Sequence, residues 1–155
     1  VMLQISKPTY VEDLIDDPNF NIEDYYGYVY MTINLDINQN YIGKKIFKNT
    51  TSKKLGKKET AALPVKRGRT PSKKKVISES NWKEYYGSAD EVKEWVKNTP
   101  KYKLLRVVLR LCKSSKELTY YETKYLFDYD VLLDNRYVNS NILGKFYPKD
   151  LVESK

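Results

Sequence analysis

A chain of 155 residues can build one domain with a real core and leaves little room for a second. It has no histidine, which excludes Ser-His-Asp and Cys-His catalysis, histidine zinc sites and histidine-metal nucleases; hydrolytic chemistry must run on Tyr, Lys, Arg and carboxylates. The lone cysteine, Cys112, excludes an intrachain disulfide, and a net charge of +8 favours an anionic partner.

Val1 ahead of Met2 reads as an expression remnant. Residues 1–25, with Pro8, Pro18 and several acids, read as an N-terminal arm holding about one helical turn. Residues 26–150 read as a single domain. From Gly27 to Ile33 aromatic and β-branched residues dominate, which predicts a strand. Asp36 to Asn40 is a polar turn and Asn40 to Phe47 a second strand, together a hairpin.

Next comes the charge. From Lys44 to Ser80 there are 13 basic residues against Glu59 and Glu79, a net +11, while the rest of the chain carries −3. Residues 50–80 are poor in apolar side chains and hold Gly56, Pro64, Gly68 and Pro71, so they read as a long loop or extended arm inserted into the domain. A near-neutral body with one basic segment is the footprint of a polyphosphate partner, and the expected contacts are Lys53, Lys54, Lys57, Lys58, Lys66, Arg67, Arg69, Lys73, Lys74 and Lys75. Lys66-Arg67-Gly68-Arg69-Thr70-Pro71 is a partial match to a minor-groove hook, in which flanking guanidiniums enter the groove beside a flat glycine. The simpler reading is a solvated basic loop that touches phosphates without sequence preference.

Beyond the arm, Trp82 to Ser88 is a compact aromatic turn. Ser88 with Glu91, and Ser114 with Glu117, are capping-box signals that open helices over about 89–97 and up to about Tyr129. Lys101 to Cys112, rich in Leu and Val, reads as a central strand between them. On the second helix Leu118, Tyr121, Glu122, Tyr125, Leu126 and Tyr129 share one face; a carboxylate there is costly unless paired or metal-bound. The tail with Tyr137, Asn139 and Asn141 reads as loop and short strand. The order is thus β-β-(arm)-α-β-α.

Tyr28-Val29-Tyr30, then eleven residues from Tyr30 to Tyr41, then Tyr41-Ile42-Gly43-Lys44, resembles the paired motifs that name the GIY-YIG nucleases. The aromatic turn Trp82…Tyr86-Gly87-Ser88 is similar to the segment following an insertion in phage-type members, Glu122 to the family's metal-binding glutamate, and Tyr137-Val138-Asn139 to its C-terminal asparagine site. The resemblance spans roughly residues 26–142. It implies an α/β (α+β) fold, a small mainly antiparallel three-stranded sheet flanked by helices, here with a basic inserted arm. It also implies a metal-dependent endonuclease that hydrolyses double-stranded DNA and leaves 5′-phosphate ends, with Mg²⁺ (or Mn²⁺) as cofactor. A non-catalytic DNA-binding or architectural protein retaining the fold is the alternative.

The residues carried over by resemblance are Tyr30 as general base, Tyr41 and Lys44 in support, Glu122 on the metal and Asn139. Such chemistry needs an in-line water, a group to take its proton, and cations around the phosphate. A phenol becomes a usable base only near a metal and a lysine. Without the resemblance, alternating strand tyrosines read as cross-strand packing. The family's arginine position is occupied by Thr51, so the second cation falls to Lys45 first, or to Arg67, Arg69, Arg106 or Arg110. The absence of a signal h-region or an 18-residue apolar run predicts no membrane partner and a cytoplasmic location in a bacterial or phage-infected cell. Monomer and homodimer both suit this size.

Overall fold

The computed structural model describes residues 7–64, 68 and 71–151. The chain divides into a body, residues 1–47 and 81–155, and an inserted unit, Lys48–Ser80.

In the body, β1 (Gly27–Asn34) is the central strand of an antiparallel sheet ordered β2-β1-β5, with β2 (Gln39–Ile46) and β5 (Leu104–Cys112) on either side. Tyr30 faces Gly43 and Thr32 faces Tyr41 in the β1–β2 register, so Tyr28, Tyr30, Tyr41 and Gly43 share one sheet face while Val29, Met31, Ile42 and Lys44 share the other. A register shift between Val29 and Tyr30 interrupts the β1–β5 ladder. Nearly all of β1 is buried, because both sheet faces are covered.

One face is covered by α4 (Ser115–Asp128) and the segment after it: Val29, Met31, Ile42, Leu118, Leu126, Val131 and Leu132 make one cluster. The Ser114 hydroxyl caps this helix, accepting from the Glu117 amide at 3.1 Å, as the capping pattern predicts. The other face is aromatic: Tyr28, Tyr30, Phe47 and Trp82 pack with Val11 and Leu14, and Phe47 meets Trp82 edge-on at 5.0 Å between centroids. A third, small cluster joins α3 (Asp90–Asn98), through Val92 and Trp95, to Leu104.

The N-terminal segment, read as an arm with about one helical turn, holds α1 (Val11–Asp16), which buries Val11 and Leu14, and Arg106, 3 % exposed, donates to the Glu12 carboxylate at 2.7 Å. Arg106 also donates to the Lys83 and Tyr85 carbonyls and stacks on the Tyr86 ring, so it ties α1 and the aromatic turn to β5. The basic segment, read as a long loop or extended arm, holds regular structure. β3 (Lys48–Lys54) and β4 (Lys73–Glu79) pair antiparallel over seven positions, with the short helix α2 (Lys57–Ala61) between them. Thr50 opposite Ile77 and Thr51 opposite Val76 are β-branched pairs that hold a ladder without a core. No helix among the described residues is long and apolar enough to cross a membrane.

Candidate functional site

β2 is an edge strand, and its free edge is occupied by the tail. Val138 donates to the Asn40 carbonyl at 2.9 Å, and the Asn139 amide grips Ile42 from both ends, accepting from its N–H at 3.1 Å and donating to its carbonyl at 2.8 Å. The clamp fixes the backbone between Tyr41 and Gly43. Asn139 therefore acts on the strand that carries the other groups.

Around this edge lies a cavity of about 670 Å³, whose lining includes Tyr41, Lys44, Ser88, Glu122 and Asn139. Tyr41 lines it from one sheet face and Glu122 from the helix packed on the other, at the edge where β2 is the outermost strand of the sheet. Glu122 is half-buried, and that burial raises its pKa above the usual carboxylate value, with the Lys44 ammonium pulling it back. Lys44 donates to the Thr119 hydroxyl at 3.0 Å, one turn before Glu122 on α4.

Tyr41 is held on three sides. Its hydroxyl lies 3.0 Å from the Ser88 Oγ. A Cβ on Gly87 would come within 2.9 Å of its ring, and one on Gly43 within 3.0 Å, so the two glycines form the slot for the phenol. Burial raises its pKa, the Ser88 hydrogen bond opposes that, and Tyr85 and the Glu122 charge add to the rise. Ser88 was expected to cap α3; the helix instead starts beyond Ala89 without a side-chain cap, and the hydroxyl turns to Tyr41.

Tyr30 occupies a different place. It is 1 % exposed, and its hydroxyl fills the space over Gly43, where a Cβ would come within 2.5 Å of it. Burial, then the neighbouring Tyr85 and Tyr41 phenols, push its pKa far above the ordinary phenol value. It underlies Tyr41, at 6.4 Å between ring centroids, and is not among the residues lining the cavity.

Lys45 also stands apart from Glu122. Its ammonium lies 4.1 Å from the Tyr85 ring centroid, and burial lowers its pKa. Two of the other cations considered for the family's arginine are engaged elsewhere: Arg106 with Glu12, and Arg110 on the Tyr121 ring at 3.8 Å. Thr51 belongs to the inserted unit. Lys66, Arg67 and Arg69, and with them the hook, lie outside the described residues. In that unit Lys53 faces Lys74 and Lys54 faces Lys73, with Lys75 beside them and Lys57 and Lys58 exposed on α2.

Sequence reasoning missed Thr119, Tyr85 and the role of Ser88. Thr119 was legible in principle, three residues before Glu122 on one helix face. The other two contacts join residues 40 and 47 positions apart, and no local pattern carries them.

A three-stranded antiparallel sheet bearing the Tyr-Val-Tyr and Tyr-Ile-Gly motifs on paired strands, with a glutamate helix against it, is the GIY-YIG nuclease fold. Residues 12–142 match the family model described as "Putative endonuclease segE, GIY-YIG domain", and the chain belongs to that family of DNA endonucleases. No curated protein and no solved structure matches it.

Proposed function

We propose that the chain hydrolyses phosphodiester bonds of double-stranded DNA in the cavity at the β2 edge, using a divalent cation. The observation that carries this is the convergence of Tyr41, Lys44 and Glu122 on one cavity. Glu122 fits a hard ion: it is a half-buried oxygen donor facing a polar space that also holds Ser88, Ser140 and Asn141. Among the described residues no group of three His, Cys, Asp or Glu gathers that could hold a metal; Asp90 and Glu91 line the same cavity as Glu122, and water and phosphate oxygens would complete the shell. Mg²⁺ or Mn²⁺ held there would neutralise charge building on the phosphate.

Lys44 supplies a second positive charge beside that position. Tyr41, whose hydroxyl reaches the cavity, is better situated than Tyr30 to take the proton from the attacking water. Tyr30 supports it from below, and Asn139 fixes the strand on which Tyr41 and Lys44 sit. In the inserted hairpin Lys74 is paired with Glu59 at 2.6 Å, while Lys53, Lys54 and Lys73 crowd beside it with like charge, an arrangement that a polyanion relieves. Duplex binding is assigned to that unit.

Incubating supercoiled plasmid with the protein in Mg²⁺, Mn²⁺ or EDTA tests the reading. Cutting should need the metal, vanish in Glu122→Gln, and suffer more in Tyr41→Phe than in Tyr30→Phe. Equal nicking by native protein and Glu122→Gln would remove Glu122 from the mechanism. Tight duplex binding with no cutting by the native protein would favour the architectural alternative.

A further inference from the structure

A second hollow, of about 280 Å³, adjoins the first. Its lining includes Lys44, Lys45, Ser115, Thr119, Tyr26 and Tyr85, and Lys44 belongs to both spaces. Two ammoniums with the Ser115 and Thr119 hydroxyls on a small surface hollow are the donors that a singly charged phosphate takes. No acidic side chain lines it, and among the described residues neither lysine forms an ion pair with a carboxylate.

Lys45 is what sets this hollow apart. The edge strand turns its side chain to the sheet face opposite Lys44, and Tyr85 holds it there. A half-buried ammonium resting on a ring keeps its N–H donors for an incoming group. The lowered Lys45 pKa agrees: the charge is partly desolvated and gains most from an anion.

We propose that this hollow binds the phosphodiester next to the scissile one on the same DNA strand, with Lys45 as its principal cation and Lys44 bridging the two phosphates. Lys45 then sets strand register and affinity and is not the second catalytic cation. The proposal rests on the reading that the Glu122 cavity takes the scissile phosphate.

The test uses the full chain with Lys45→Gln and Lys45→Arg. Binding of a duplex oligonucleotide containing a mapped cut site is measured without divalent ions across a salt series, and cleavage kinetics with them. Lys45→Gln should raise KM roughly tenfold, with the loss falling on KM and not on kcat, and should make the log–log salt slope shallower by about 1. Lys45→Arg should restore both. A neutral methylphosphonate at the phosphate on one side of the cut should weaken the native protein by a similar factor and cost Lys45→Gln nothing more.

A fall in kcat with KM intact would put Lys45 at the reacting phosphate and overturn the proposal. So would an unchanged salt slope, or methylphosphonate losses that add to that of Lys45→Gln on both sides of the cut. Thermal melts of both variants separate misfolding from lost contacts. A Glu122→Gln protein that still cuts would remove the catalytic reading, whereas the metal-free binding slope decides the Lys45 contact separately.

Discussion

The body and the inserted hairpin put their residues to opposite uses. In the body Tyr28, Tyr30, Phe47 and Trp82 are almost wholly enclosed, and both faces of a three-stranded sheet are covered. In the inserted unit no described residue except Ser80 is buried, and two lysine pairs face each other across two strands. A two-stranded ribbon of this kind is marginal by itself. The difference teaches that one region is selected for packing that fixes a cavity, the other for charge density at little cost to the core.

The largest effect that would sharpen the contrast is catalytic. Glu122→Gln should cut activity by about 10³-fold or more in a plasmid assay while leaving duplex affinity near native, since affinity is assigned to the hairpin and to Lys45. Next is packing. Trp82→Ala, at a residue 2 % exposed, should cost about 3–5 kcal/mol in denaturant unfolding. Ile77→Ala, at a residue 66 % exposed, should cost under about 0.5 kcal/mol. Equal losses would break the comparison.

Deleting residues 51–78 comes third. It should flatten the log–log salt slope of duplex binding by roughly 5 if that many phosphates are neutralised there, with the body's melting transition retained. An unchanged slope would show that the hairpin does not touch phosphate.

A smaller effect follows from Glu122 itself. Burial raises its folded pKa above the unfolded value of 4.5, so the folded chain binds more protons between the two. Metal-free stability therefore falls as pH rises through that window, and the deficit persists above it. Glu122→Gln should melt higher than the native protein at pH 7 in chelator, and the gap should close as pH falls below 4.5. Ser114→Ala should cost about 1 kcal/mol through the lost cap on α4.

Much of this was legible beforehand. The alternation in residues 27–33 and the spacing of the two tyrosine motifs define the hairpin, because a period of two has few other solutions. The Ser114 cap and the apolar face of α4 define that helix. The segregation of charge is arithmetic on the chain. The strand pairing of residues 48–54 with 73–79 was not legible, because its ladder needs backbone partners and not apolar side chains.

By itself, then, the sequence determined the elements, the family motifs and the basic segment, all of which depend on residues close in the chain. Only the tertiary structure decided that α4 covers the face opposite Tyr30, that the cavity opens at the β2 edge, and that Tyr41 reaches it while Tyr30 lies under Gly43. It alone turned Ser88 from a helix cap into the partner of a phenol and Asn139 into a clamp on Ile42. Periodicity states which side chains share a face; which face another element covers is fixed by packing among residues far apart in the chain.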